Sequence, residues 1–438
     1  MALVVAMCLA SSANPARAQD CNNNTILDEC DIDCLAPGCN VPGCGNSFDC
    51  DLDGVPDECQ VPTGTVLSVW DDATGNWSLA TNWCPDVVPD NGGKLTYEVL
   101  IDGNSSIVHL DTSPVVDRLT LSNCARLEAD TVDFNAVLFD FIIDSGARYV
   151  PNPGALVTRT ATLSAGSISL NSSNGVGGWL VLNDSMSVTV DTSVTVNGLS
   201  SPAVLCGEDQ CAGAQRGGTS PPVLRVARSA TGRSSDRGSP FNPALNIADD
   251  LNLNDQVRVD VDDGDVNLAG DFNNHSDSPE CFSWDNGNMT LTAGTLGNPQ
   301  IFELAGDDFG ASVLGFVQNF NFGRIVLNPA VVAEFLDGFD NDGAGQGSCE
   351  ALYVSNLVLN AGSTLRLGDC NVYYQCLTAH PTSTVETPGL GNLIQVGTCQ
   401  SQSSVPASNP SSETLLALAL AAGGVWLLRR SRLRTLPG

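Results

Sequence analysis

Ser106-Ile-Val-His-Leu110 and Asp117-Arg-Leu-Thr-Leu121 are the stretches from which the fold is read. In both, apolar and polar side chains alternate, the period of a strand with one face toward a core. Similar text recurs at 161–170, 178–182, 187–190 and 194–196, and again at 251–253, 257–261 and 266–268. Polar turn formers separate the runs at spacings of roughly 15–25 residues. The chain holds 43 Gly and 23 Pro, a mixture that favours short strands joined by turns over long helices. The fold class expected is mainly β, a right-handed β-solenoid-like or stacked β-rung body. A sandwich-like array would generate the same pattern.

Outward from these runs, the body divides into a first half over 65–200, a stretch over 201–243 and a second half over 244–400. The middle stretch breaks the alternation with Gly, Ser, Pro and Arg216, Arg225, Arg228, Arg233 and Arg237. It is expected to be a surface loop or linker, with Cys206–Cys211 a local disulfide and the arginines paired against the acidic body. In the second half, Asp262-Asp263-Gly264-Asp265 predicts a hairpin turn. Phe272, Phe282, Trp284, Phe302 and Phe309 are expected core aromatics, and Asp337, Asp340, Asn341 and Asp342 before Gly343 form a weak third cation motif.

The stretch over 19–60 has a different character. Seven of the 17 cysteines fall between Cys21 and Cys59, a density that implies disulfides or metal thiolates. The intervening residues are hard oxygen ligands, which suit calcium better than zinc. Two twelve-residue stretches share one spacing. The first places Asp20, Asn22, Asn24 and Asp28 at positions 1, 3, 5 and 9, with the Ile26 carbonyl at 7 and Asp31 at 12. The second places Asp49, Asp51, Asp53 and Asp57 likewise, with the Val55 carbonyl at 7 and Glu58 compensating for Gln60. Alternate oxygens converge on one ion when such a loop curls around it, so Ca2+ is the expected cofactor. Gly54 at position 6 permits the sharp turn, which Thr25 does less easily. Cys21 with Cys30 and Cys50 with Cys59 are the natural loop-closing pairs. The odd cysteine count sends one bond out of the segment, with Cys84 the nearest partner.

These loops resemble the Asp-Cys-Asn-x-Asn-x-x-x-Asp-Glu-Cys repeats of large secreted bacterial proteins, relatives in style of dockerin and thrombospondin type 3 loops. Residues 66–101, with Trp70, Gly75-Asn76-Trp77, Asn82-Trp83, Val88-Pro89 and Ile101-Asp102-Gly103, resemble the opening module of adhesin-like β-solenoids. That resemblance implies a tryptophan cap over an open end of stacked strands, with sugar stacking by Trp70, Trp77 and Trp83 as the competing reading. The stretch 350–374 is similar to the closing rung of the same secreted families.

The two ends read as addresses. Residues 2–10 are apolar and Ala16-Arg17-Ala18 fits a cleavage site, so 1–18 is expected to be a signal peptide. Over 406–438, the apolar run 415–428 ends in Arg429, Arg430, Arg432 and Arg434. As a helix it rises only about 21 Å against a hydrocarbon core of roughly 30 Å. This end resembles the PEP-CTERM class of bacterial sorting tags, which implies transient membrane anchoring before processing. The expected location is the exterior or surface of a bacterium.

Net charge is −32 and Lys94 is the single lysine, which opposes nucleic-acid and anionic-lipid binding and favours divalent cations. The three histidines are far apart, and neither a His-x-x-x-His pair nor a Gly-x-Ser-x-Gly elbow occurs. No catalytic set is expected. The function expected is structural or adhesive, with an extracellular glycan or surface protein as partner. The enzymatic alternative is a calcium-dependent polysaccharide lyase or hydrolase using Asp260, Asp262 or Asp265.

Overall fold

A computed structural model of the chain describes residues 20–399 except 93, 104–105, 130–135, 145–146, 152–161, 171–178, 183–186, 191–192, 198–222, 227–242, 262 and 342–348. The signal-peptide and sorting-tag readings, Cys206–Cys211, four of the five arginines named in 201–243, Asp262, Asp342 and Gly343 therefore lie outside the described residues. Among the described residues no helix is long and apolar enough to cross a membrane.

The protein is mainly β, and its described residues up to Thr398 form one compact unit. A 22-stranded and an 8-stranded sheet carry the strands, and neither closes on itself. Pairing is parallel almost throughout. In the larger sheet, Ala244–Ile247 pairs with Asp265–Leu268, which pairs with Asn288–Leu291. Leu251–Asn254 pairs in the same way with Phe272–His275. In the smaller sheet, Trp179–Leu182, Val223–Val226, Arg258–Asp260 and Phe282–Ser283 lie side by side. The chain thus visits three parallel rows in turn and returns to each.

Burial follows the strand period. Val266 and Leu268 are buried while Asp265 and Asn267 are not, and Leu251 and Leu253 alternate likewise with Asn252 and Asn254. Stacking strands in register places each inward side chain on its counterpart one circuit away, so Leu245, Val266 and Met289 form one apolar column. The outward positions bond along the stack instead. Asn267 Nδ2 donates to Asn246 Oδ1 and Asn273 Nδ2 to Asn252 Oδ1, both at 2.8 Å across 21 residues of sequence. Turns between rows run backbone against backbone, which is why glycine sits at 287. A Cβ there would stand 2.4 Å from the Val261 carbonyl oxygen.

Three tryptophans are buried near the N-terminal strands of the larger sheet. Trp70, Trp77 and Trp83 are 4%, 0% and 1% exposed and pack edge to face at 4.9 and 4.6 Å. Trp83 Nε1 donates to the Trp77 carbonyl and Trp77 Nε1 to that of Pro89. Indoles buried to this degree present no face to a sugar, and all three belong to the continuous hydrophobic core.

Three expectations are corrected. Arg258–Asp260 and Asp265–Leu268 belong to different sheets, so Asp263-Gly264 turns the chain from one row to the next and makes no hairpin. The stretch 201–243 contains a core strand, Val223–Val226, with Val223, Leu224 and Val226 buried. Its Arg225 meets Asp260 at 3.4 Å, the internal pairing expected for it. Phe309 is 46% exposed because it rides on an excursion between strands Gln300–Glu303 and Phe322–Leu327. Phe272, Phe282, Trp284 and Phe302 do form a buried aromatic cluster with Phe322.

Candidate metal centre

Residues 20–60 carry almost no regular structure beyond the short helices Asp28–Ile32 and Asp57–Gln60. Their shape comes from side-chain oxygens that accept backbone N–H groups, and the two loops do this in the same way. Asp20 at position 1 accepts from Asn24 and Thr25, each at 3.0 Å, and Asp49 accepts from Asp53 and Gly54, each at 3.1 Å. At position 3, Asn22 and Asp51 accept from the N–H of position 5 at 3.0 and 3.3 Å. At position 5, Asn24 and Asp53 accept from position 7 at 2.7 and 2.8 Å. At position 9, Asp28 and Asp57 accept from the position 2 N–H at 2.8 and 2.9 Å. Such Asx turns curl the chain so that the odd-numbered side chains share one concave side. Ile26 and Val55 enter the curl through their N–H groups, which donate to the position 5 side chains.

The curl requires left-handed backbone at position 6. Thr25 adopts φ 75° and Gly54 φ 88°, so the first loop takes the turn despite its Cβ. Asn23 and Leu52 at position 4 also have positive φ.

In the second loop, carboxylate oxygens of Asp49, Asp51 and Asp53 lie within 4.8 Å of one another. Like charges at that separation repel by about 1 kcal/mol per pair in water and more at lower dielectric. Asp57 is 5% exposed, and its Oδ2 is buried with no hydrogen-bond partner. Burial, reinforced by the charges of Asp51, Asp49 and Glu58, pushes its carboxyl up to about 6, against the backbone bond from Cys50 that lowers it. Converging carboxylates and a buried carboxylate oxygen without a partner are features that a divalent cation relieves. The donor set is oxygen only, so the residues fit calcium.

The first loop is more self-contained. Asp31, 1% exposed, accepts from Asn22 Nδ2 at 3.2 Å and Asn24 Nδ2 at 2.8 Å. Glu58 turns toward this loop, with Oε1 accepting from Asn22 Nδ2 at 3.2 Å and Ser47 Oγ at 2.6 Å. The Gln60 amide donates to Asp51 at 3.1 Å. Glu58 thus ties the two loops together, a role its sequence position did not announce.

The disulfides also differ from expectation. The structure pairs Cys21 with Cys59, Cys30 with Cys39, Cys34 with Cys44 and Cys50 with Cys84. Cys21–Cys30 and Cys50–Cys59 do not form, because the loops face each other and position 2 of the first meets position 11 of the second. The bond leaving the segment does end at Cys84. Bonded sulfurs offer no thiolate, so the groups Cys21/Asp28/Cys59 and Glu29/Cys30/Cys39 are not soft-metal sites.

The remaining acidic motifs make the following contacts among the described residues. Asn341 Nδ2 donates to the carbonyls of Asn274 and Ser276 at 2.8 and 2.6 Å, and its N–H to Glu350 at 2.5 Å. Asp337 accepts from the Glu350 N–H at 3.1 Å. Asp260 faces Arg225, whereas Asp265 accepts from Asn288 Nδ2 in the other sheet at 2.5 Å. The two acids of the lyase reading that are described, Asp260 and Asp265, lie on strands of different sheets.

Comparison with protein-family models, with curated proteins and with solved structures yields no match.

Proposed function

We propose that this is an exported calcium-binding protein with a structural or adhesive role at a bacterial surface. The observation that carries the calcium reading is the convergence of the Asp49, Asp51 and Asp53 carboxylates within 4.8 Å of one another, on a loop whose Asp57 Oδ2 is buried without a hydrogen-bond partner. Calcium in the second loop would be held by Asp49, Asp51, Asp53, Asp57 and the Val55 carbonyl. The first loop would offer Asp20, Asn22, Asn24, Asp28, Asp31 and the Ile26 carbonyl on the same curl. Bound calcium supplies charge neutralisation and rigidity, with no chemical step. The disulfides support an oxidising location. The parallel rows, revisited after 21 residues at Asn246/Asn267 and Asn252/Asn273 and at longer intervals elsewhere, support a right-handed β-solenoid-like body, and such a body offers a long surface suited to adhesion or coat formation.

Calorimetric titration of the oxidised full chain tests this. About two ions per chain are expected, with Kd near 0.1–1 mM as in extracellular modules. Asp20/Asp28/Asp49/Asp57→Ala abolishes the heat. Absence of binding by the oxidised wild type at millimolar calcium would overturn the reading.

A further inference from the structure

Three separate links join the two loops of residues 20–60. Cys21, at position 2 of the first loop, is bonded to Cys59, at position 11 of the second. Ser47 and Phe48 make the second link. The Ser47 N–H donates to the Asp31 carbonyl at 3.0 Å, and the Phe48 carbonyl accepts from the Asp57 N–H at 2.9 Å. Two consecutive residues thus connect position 12 of one loop to position 9 of the other. Glu58 makes the third link, with Oε1 accepting from Asn22 Nδ2 at 3.2 Å and from Ser47 Oγ at 2.6 Å.

Glu58 differs from the other links because it touches a ligand-position side chain. Asn22 carries a single side-chain oxygen, and an ion can use it only while the amide presents that oxygen to the loop. Its Nδ2 has two acceptors, Glu58 and Asp31. Asp31 stands at position 12 of the same loop and is 1% exposed, so a bond to it occupies an oxygen that an ion would need. A bond to Glu58 occupies none of the first loop's acceptors and still fixes the amide. Glu58 in turn follows Asp57, the 5% exposed residue whose Oδ2 is buried without a hydrogen-bond partner. An ion drawn to Asp57 holds the turn Asp57–Gln60, from which both Glu58 and Cys59 reach the first loop.

On the basis of the calcium reading, we propose that the two loops are one coupled unit in which Glu58 is the positioning residue. An ion in the second loop holds Glu58, Glu58 holds the Asn22 amide away from Asp31, and the first loop binds its own ion more tightly. Coupling between binding free energies is reciprocal, so an ion in the first loop tightens the second by the same factor.

Calorimetric calcium titration of the oxidised full chain tests this with two single-loop variants. Asp49→Asn/Asp53→Asn disables the second loop and Asp20→Asn/Asp28→Asn the first. Each pair keeps an acceptor for the Asx turns and removes two negative charges, as many as a bound calcium neutralises, so the surviving loop meets a similar field. Couplings between sites are typically about 5–150-fold, and each single-loop variant is expected to bind one ion about fivefold or more weaker than the wild type binds its two. Glu58→Ala in the otherwise wild-type chain lowers both affinities to the single-loop values, whereas Glu58→Gln, which keeps the acceptor, preserves the gain. Disulfide mapping confirms Cys21–Cys59 in every variant. Wild-type affinities equal to the single-loop values, or a gain that survives Glu58→Ala, overturn the coupling and leave calcium binding standing. So does loss of the second loop's ion in Glu58→Ala with the first loop disabled, which would make Glu58 a ligand. Absence of any heat from the wild type would overturn the calcium reading and the coupling with it.

Discussion

Thr25 and Gly54 hold the same turn position with φ of 75° and 88°, and only one of them suits it. A Cβ in left-handed backbone costs roughly 1 kcal/mol, so Thr25→Gly should stabilise the first loop by about that amount. The expected readout is slower proteolysis of 20–60 without calcium. Gly54→Ala should cost the second loop a similar ~1 kcal/mol. No atom lies within 4 Å of the added methyl, so the whole loss would be conformational. Asp57 carries a pH dependence. Its folded-state value near 6 exceeds the usual carboxylate value of 3.8, so its neutral form favours the fold. That contribution is fully present below about pH 4 and is lost as pH rises through 6. In chelator, protection of residues 49–60 from hydrogen exchange should therefore fall between pH 4 and 7, and Asp57→Asn should flatten the fall. Persistence of the fall in Asp57→Asn would assign it to another group. Much of this was readable in advance, because ligand-like residues at alternate positions define the loop locally. Glu58 was not, since its partners Asn22 and Ser47 reach it only after the loops have met.

Among the strands, alternation marked the buried positions well. Leu253, fully buried at the centre of Leu251–Asn254, should cost about 2–5 kcal/mol when replaced by Ala. Asn252 on the same strand bonds only outward along the stack, and Asn252→Ala should cost about 1 kcal/mol. Thermal unfolding of the two variants separates core from surface, and equal losses would contradict the inward-outward assignment. Turn chemistry was less informative. Asp263-Gly264 correctly marks a reversal of local direction, yet the same residues serve a hairpin or a passage to another sheet. Which one occurs depends on where Arg258–Asp260 finds Val223–Val226, a pairing made across 35 residues. The arginine- and glycine-rich surroundings of Val223–Val226 hid that strand, because four residues are too short for a period to stand out.

At the scale of the molecule, a segment with little core of its own is fastened to a body with a continuous one. Cys50–Cys84 is the covalent fastening between them. The double variant Cys50→Ser/Cys84→Ser should weaken the docked segment by about 2–4 kcal/mol, the usual worth of a disulfide closing a loop of this length. Exchange in 20–60 should rise while melting of the body stays nearly unchanged. Simultaneous loss of both would show that the segment caps the body instead of hanging from it. Composition and period by themselves determined that the protein is mainly β, that its described cysteines are disulfide-bonded and that the acidic loops curl on alternate side-chain oxygens, because each depends on residues near in sequence. Tertiary structure alone decided which cysteines pair, which turn crosses between sheets and that the three tryptophans of the opening module are buried. Those outcomes depend on which surfaces meet after the local elements have formed, and apolar columns and edge strands accept any partner that fills them.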